Sequence, residues 1–298
     1  MAVTIHVQSV LYNTPLGEIW RFMRGLESAL RGARDAGAVS SVTIRLGDCS
    51  PRPAIGDGDL EQLRGLVEPL GDVRLDYVYF NENRMTARGH NSLAEGATAD
   101  FLLVINPDTY ASPCTLTELV AAMARPEVAV SEARQIPIEH PKKYDRRTGE
   151  TSWASTCCVL IRRSVFEFLE GFDARFFPLY CDDVDFSWRA RLNYNTVVFV
   201  PAAPIFHDKQ LSAGGTVCAS SVEEYYSVFA RLMLTRRYGS PDIEGETRTH
   251  VEKSGSVNHR RALADFDARV ASGDVPEQLS RAADVAEFIR GEYADHRY

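Results

Sequence analysis

Strand-like and helix-like periods alternate along the first third of the chain, and this alternation restricts the fold more than any other feature. Residues 3–10 alternate apolar and polar side chains, Tyr12-Asn13-Thr14-Pro15 interrupts them, and residues 16–36 carry apolar side chains at helical spacing. The same reading gives a strand at 42–46, a helix at 60–70, a strand at 73–80 and a helix at 85–96. Phe101 to Ile105 is an unbroken apolar run, as expected of a strand covered on both faces. Strands separated by helices imply βαβ units, hence an α/β fold with a mainly parallel sheet and ligands at the carboxyl ends of its strands. Tyr12, Asn13, Asp48 and Asn83 fall at such ends. Asn106-Pro107-Asp108-Thr109 closes the apolar strand, and its residue types suit a turn and a site equally.

Asp182-Asp183-Val184-Asp185 lies inside an aromatic run, Phe176-Phe177-Pro178-Leu179-Tyr180 before it and Phe186 and Trp188 after it. Two carboxylates about 4 Å apart repel by roughly 4 kcal/mol at a surface-like dielectric, so an apolar flank around three of them needs a reason. One reason is local. The segment starts a helix, whose free N–H groups and positive dipole end suit acidic side chains. Asp185 and Arg189, four apart, pair on one face, and this accounts for Asp185. One cap needs one carboxylate, so at least one of Asp182 and Asp183 is expected to do chemistry.

With 298 residues and 45% hydrophobic content, the chain can bury one large core or two modest ones; one main domain with a helical tail is expected. A net charge of −8 with no long Lys/Arg block argues against a nucleic-acid partner, and an anionic ligand would need a local divalent cation. Cys49, Cys114, Cys157, Cys158, Cys181 and Cys218 show no CxxC pairing, so reduced thiols are expected. Neither a spanning apolar run nor a leader pattern is present, which suggests a cytoplasmic protein.

Further along, a helix is expected at 116–124, a strand at 157–161, a short helix from Ser164 and a strand at 196–200. Residues 138–152, with Lys142, Lys143, Arg146 and Arg147, read as a solvated basic loop. His207 ends an apolar segment and precedes a polar loop containing Gly214-Gly215, which is expected to fold over substrate. Residues 222–238 and about 259–290 read as helices; this tail could serve homo-oligomer contacts or docking at a membrane surface.

In this order, Tyr12-Asn13, Asp48-Cys49-Ser50, Asn83 through Gly89 to Asn91, Asn106-Pro107-Asp108-Thr109, Trp153, Gly171-Phe172-Asp173, Asp182-Asp183-Val184-Asp185 and His207 resemble the family 2 inverting glycosyltransferases of the GT-A fold, especially the bacterial rhamnosyltransferase-like members. The resemblance covers residues 3 to about 207. It implies a Rossmann-like GT-A catalytic domain at 1–220, with a nucleotide-sugar half to about 110 and an acceptor half from 111, followed by a helical extension at 221–298. It implies that Tyr12, Asn13 and Asp48 line the nucleobase and ribose pocket, with Asn83, Asn91 and Asn106 near the nucleotide or its diphosphate. Asp108 matches the metal-binding position of the family's Asp-X-Asp motif, whose first position is here Asn106, and His207 matches a further contact to Mg2+ or Mn2+. Asp183 matches the catalytic base and Asp182 its usual glutamate neighbour; Trp153 and Asp182 face the acceptor.

The expected activity is transfer of a sugar from dTDP-L-rhamnose or a UDP-hexose to a glycan or lipid-linked acceptor in bacterial polysaccharide synthesis, at or near the inner membrane face. A sugar-phosphate nucleotidyltransferase would want a glycine-rich basic loop near the amino terminus, and Tyr12-Asn13-Thr14-Pro15 offers none. A non-catalytic nucleotide-sugar or glycan-binding module would have no need of Asp183 beside Asp108 and His207.

Overall fold

The computed structural model describes residues 2–140, 142–209 and 219–294. Its first half alternates as the periodicity predicts: β1 (Val3–Leu11), α1 (Leu16–Asp35), β2 (Val39–Asp48), α2 (Asp57–Val67), β3 (Val73–Tyr79), α3 (Met85–Ala94) and β4 (Phe101–Ile105). The second half contains β5 (Thr109–Ala111), α4 (Thr115–Ala122), β6 (Val128–Ile136), β7 (Cys158–Arg162), α5 (Arg163–Phe168), α6 (Asp182–Leu192) and β8 (Thr196–His207). Three helices close the chain: α7 (Ser221–Tyr238), α8 (Pro241–Lys253) and α9 (Val257–Ser272).

All eight strands form one sheet in the order β3-β2-β1-β4-β7-β6-β8-β5. The four strands of the βαβ units pair in parallel, and β4 then meets β7 antiparallel. Beyond it β7 and β6 are antiparallel, β6 and β8 parallel, and β8 and β5 antiparallel. The unbroken run of parallel strands from β3 therefore ends at β4, and Asn106 to Asp108 emerge where the pairing changes.

Both faces of this sheet are covered. Phe101, Leu103 and Ile105 of β4 point into a core shared with α1, α2 and α4, while Leu102 and Val104 point into one shared with α3, α5 and α6. A third cluster joins Trp153, Phe177, Val184 and Trp188 to α7, α9 and Val285. Helix α6 sits between the last two: Phe186 and Ala190 face the sheet, Val184 and Trp188 the closing helices. A helix buried on both sides carries little one-sided polarity, which is why the apolar flank around Asp182 to Asp185 reads as anomalous in sequence. The closing helices thus bury apolar faces against α6 of their own chain.

Three local differences from the sequence reading have physical causes. Strand β6 was not expected, because Ser131, Glu132, Arg134 and Gln135 interrupt its apolar pattern; of these, Ser131, Glu132 and Gln135 are buried. Strand β8 runs on to His207 past Pro201 and Pro204, since its register against β6 jumps from Ala133↔Val200 to Arg134↔Pro204. Proline is tolerated in a sheet at such an irregularity. The tail is helical over 241–253, starting with a Ser240 cap and Pro241 at the first turn, but α9 stops at Ser272 with Gly273 in the left-handed region (φ 74°). Residues 273–290 are therefore not the helix expected, apart from a 3-10 turn at Ala282–Asp284. Among the described residues no helix is long and apolar enough to cross a membrane.

Candidate active site

At the carboxyl ends of β1, β2 and β3 the polar residues hold one another. Asp48 is fully buried and accepts from the Ser50 N–H (2.9 Å), the Ala54 N–H (2.7 Å) and the Tyr77 hydroxyl. Its carboxylate therefore shapes the loop after β2. Ser50 Oγ in turn accepts from the Asn13 N–H (2.8 Å), whose residue adopts a left-handed φ of 51°. This leaves the Tyr12 ring 52% exposed at the end of β1, a free aromatic face where a planar base could stack.

Asn83 and Asn91 stand apart in role. Asn83 is exposed and its Oδ1 accepts from the Met85 N–H (3.0 Å) at the start of α3. Asn91 uses both ends of its amide on Phe172, donating to the carbonyl (2.8 Å) and accepting from the N–H (2.9 Å). A Cβ on Gly171 would lie 2.5 Å from Asn91 Oδ1, and Gly171 has φ 74°, so the clasp requires glycine there. Asn91 thus braces α3 against the loop before α6.

Beyond β4 the chain turns back at once into β5. The Thr109 hydroxyl donates to the Asn106 carbonyl (2.6 Å), and Thr109 pairs with His207 across β5 and β8. This pairing brings His207 Nε2 to 3.2 Å from Asp108 Oδ2. His207 Nδ1 lies 2.8 Å from Gln135 Oε1 and 3.2 Å from Cys157 Sγ. With the Gln135 amide assigned this way the oxygen only accepts, so Nδ1 carries the hydrogen. In a neutral ring the Nε2 lone pair then faces a carboxylate, and two acceptors so placed need a proton or a cation between them. Asp108 Oδ1 is also buried without a hydrogen-bond partner. Burial resists ionisation of Asp108, but the hydrogen bond and charge of His207, with Lys209, outweigh it and hold its carboxyl below the usual range. One carboxylate and one oriented imidazole fit a divalent cation that keeps other positions for water or ligand oxygens. Among the described residues no group of three His, Cys, Asp or Glu side chains is arranged to hold a metal alone.

The other half of the site is the start of α6. Tyr180 (φ 66°) and Cys181 (φ 55°) are both left-handed, a strained entry costing roughly 1–3 kcal/mol per residue. Asp182 is buried, with Oδ2 unpartnered. Burial and the charge of Asp183 raise its pKa well above the usual carboxylate range. Asp183 is half-buried; desolvation lifts its pKa to about 6, opposed by the Val184 N–H, the charge of Lys142 and the Thr156 N–H. Both carboxyl groups of the pair thus have raised proton affinity, and each opposes the ionisation of the other. Asp185 does something different. It accepts from Arg189 Nε (2.8 Å), Arg237 Nη1 (2.6 Å) and the Tyr238 hydroxyl (2.9 Å), a structural knot between α6 and α7.

Residues 152–157 join the two halves. Trp188 Nε1 donates to Ser152 Oγ (3.0 Å), Ala154 N–H to Ser187 Oγ (3.1 Å) and Ser155 N–H to Glu132 Oε1 (2.9 Å). Thr156 N–H bonds Asp183, the Cys157 carbonyl accepts from Asn106 N–H (2.9 Å), and Cys157 Sγ contacts His207. One short strap therefore touches both Asp183 and the Asp108–His207 pair. Trp153 within it is only 1% exposed, enclosed by His140 (5.0 Å between ring centroids), Tyr293 (5.3 Å) and the Lys142 ammonium (4.4 Å). It has no free ring face, so any acceptor contact there runs through the groups that cover it.

Lys142 is a correction to the solvated-loop reading: its side chain is 4% exposed and paired with buried Glu132. Gln135, Glu132 and Tyr293 had no sequence signal, because each matters only through a partner distant in the chain. Within the loop after His207, residues 210–218 lie outside the described residues.

No family model matches the chain. The N-acetylglucosaminyl-diphospho-decaprenol L-rhamnosyltransferases of two Mycobacterium tuberculosis strains, CDC 1551 / Oshkosh and ATCC 25618 / H37Rv, are 27% identical to it over 151 residues. That match covers 39% of this chain and 49% of each relative, so the chain spans about half the length of the curated relatives it matches. In structure it is similar to the mannosyltransferase PcManGT from Pyrobaculum calidifontis, solved with GDP-Man and Mn2+ (TM-score 0.58, 16% identity, 96% of this chain and 79% of that one). It is also similar to GalNAc-T7 with UDP, GalNAc and Mn2+ (TM-score 0.60, 13% identity, 93% and 56%), and to S. aureus TarS residues 1–349 (TM-score 0.53, 12% identity, 88% and 78%). The chain has the GT-A fold of these solved glycosyltransferases and is similar, in its matched segment, to the rhamnosyltransferases.

Proposed function

We propose that this protein is an inverting glycosyltransferase that moves a hexosyl group from a nucleotide-sugar donor to a hydroxyl of a glycan or lipid-linked saccharide. The observation that carries the reading is the strap at 152–157, which sets a carboxylate of raised proton affinity, Asp183, in one framework with the Asp108–His207 pair. The curated relatives make dTDP-L-rhamnose the first donor to test, a UDP-hexose the second, and a polyprenyl diphosphate saccharide at the inner membrane face the first acceptor.

An acceptor hydroxyl is a poor nucleophile until its proton has somewhere to go. Asp183 accepts that proton as the oxygen attacks the anomeric carbon, while the bond from that carbon to the diphosphate oxygen breaks. Attack opposite the leaving group inverts the anomeric configuration. Burial and the charge of Asp183 favour the protonated form of Asp182, which limits the negative charge beside Asp183. Tyr12 offers its exposed ring to the donor's nucleobase, and the loop braced by Asp48 and Asn13 surrounds that ring system. Asp108 and His207 would hold Mg2+ or Mn2+, which supplies positive charge for the diphosphate as it gathers negative charge. Proton nuclear magnetic resonance of the first-formed product against the donor's anomer tests the stereochemistry; retention would refute the reading.

The metal assignment has its own test. Calorimetric titration with dTDP and UDP should show binding strengthened by Mn2+ or Mg2+, and Asp108→Ala should lose most of that gain. Equal affinity in metal and in chelator, with turnover undiminished in chelator, would remove Asp108 and His207 from a metal role.

A further inference from the structure

The most unusual charged group outside the proposed reacting residues is Lys142. Its loop is basic and hydrophilic, yet the side chain turns inward and ion-pairs with Glu132 on β6, whose own side chain is 0% exposed. The ammonium lies 4.4 Å from the centre of the Trp153 ring and 5.8 Å from that of Phe199 on β8. Glu132 uses its other oxygen to accept from Ser155 N–H (2.9 Å), one residue before the Thr156 N–H that reaches Asp183. Burying such a pair is costly and is a poor means of gaining stability. An aliphatic side chain in the position of Lys142 would cover Trp153 equally well, so the charge calls for another explanation.

That explanation lies in what faces the pair. Among the described residues, Asp183 has Asp182 beside it on α6, and its charge is felt by, or feels, the Lys142 ammonium, the Cys181 thiol and the Tyr293 phenol. Lys142 faces Glu132 and Asp183, Glu139 influences Glu132, and the His140 ring packs on Trp153. Lys142 is thus the cation set among acidic groups that would otherwise oppose one another.

We propose that Lys142 is a positioning residue for the Asp183 base: held between the Glu132 carboxylate and the Trp153 ring, it fixes the 153–156 strap against α6 and supplies the positive charge that keeps the base anionic. The inference deepens the glycosyltransferase reading and rests on it for the word base. Its electrostatic content stands without it.

The test uses the full chain labelled with [4-13C]aspartate, in which Asp183→Asn identifies the Asp183 carboxyl resonance by deleting it. The wild-type resonance should titrate near pH 6. In Lys142→Met the midpoint should rise by about one unit, and Lys142→Arg should return it towards the wild-type value. Because Lys142→Met strands Glu132 in the core, the Glu132→Gln/Lys142→Met double variant, which removes both charges, is measured alongside it. An upward shift is expected there too, and it carries the test if the single variant does not fold. A midpoint unmoved in every folded variant lacking the ammonium overturns the proposal. Lys142 would then be a structural strut alone. The titration needs no substrate, so shifts as expected in a protein that turns over no nucleotide sugar would support Lys142 and refute the proposed activity instead.

Discussion

Replacing Asp183 by asparagine is expected to lower sugar transfer by roughly 100-fold or more, because the amide keeps the shape of the side chain and cannot take a proton. Affinity for dTDP or UDP should change little, since the nucleotide is assigned to the ends of β1 to β3 and Asp183 lies at the start of α6. The wild-type profile gives a second check. A base must be ionised to act, so kcat/KM should fall as pH drops through about 6, the value to which burial lifts Asp183. Asp182→Asn should be milder, since burial and the charge of Asp183 favour the protonated form of that group, which the amide resembles. If Asp183→Asn transfers at near the parent rate while Asp182→Asn is dead, the base is Asp182. Activity in both would remove the start of α6 from the chemistry.

What the sequence showed and what it hid divide along a physical line. Strands β1 to β4 were legible because apolar side chains serving a core dominate them, so their periods are little disturbed. Strand β6 escaped because Glu132 and Gln135 are polar for the sake of Lys142 and His207, which arrive from elsewhere in the chain. Pro201 and Pro204 hid the far end of β8 in the same way, and with it the pairing that sets His207 beside Asp108. The 138–152 loop shows the limit most clearly. Its composition describes Arg146 and Arg147, which are exposed, and says nothing of Lys142, whose partner is ten residues away inside a strand. By contrast the Ser240-Pro241 start of α8 was present as an ordinary capping signal and could have been read. The order of the motifs singled out Asp108, His207 and Asp183, which lie in the turn after β4, at the end of β8 and at the start of α6. Trp153 kept its place in that order but not the exposure expected of an acceptor contact.

Two residues after the proposed base, the same kind of substitution should act on stability. Asp185 is 0% exposed and is the counter-charge for Arg237 and Arg189 at once, with the Tyr238 hydroxyl on the oxygen that Arg237 also uses. Arg189 spends its remaining donors on the Leu169 and Gly171 carbonyls (2.7 and 2.9 Å), and Arg237 bonds Asp173 (2.5 Å). Asp185→Asn leaves two guanidiniums in a buried knot with one carboxylate, Asp173, instead of two. Breaking a buried ion pair by removing one partner costs about 3–5 kcal/mol, because the stranded charge keeps its desolvation penalty. For a chain of this size that is a fall in Tm on the order of 10 °C. Asp183→Asn removes a charge that burial disfavours, so its Tm should hold or rise. Thermal unfolding of the two variants side by side should therefore separate the roles: one loses transfer and keeps its Tm, the other loses Tm. Residual transfer by Asp185→Asn, measured well below its Tm, should stay within a few-fold of the parent because the proton acceptor is intact. A loss of less than about 1 kcal/mol in Asp185→Asn would mean that Asp173 and solvent already satisfy both arginines, and that the junction of α6 with α7 is held by the Trp188 and Val184 packing instead.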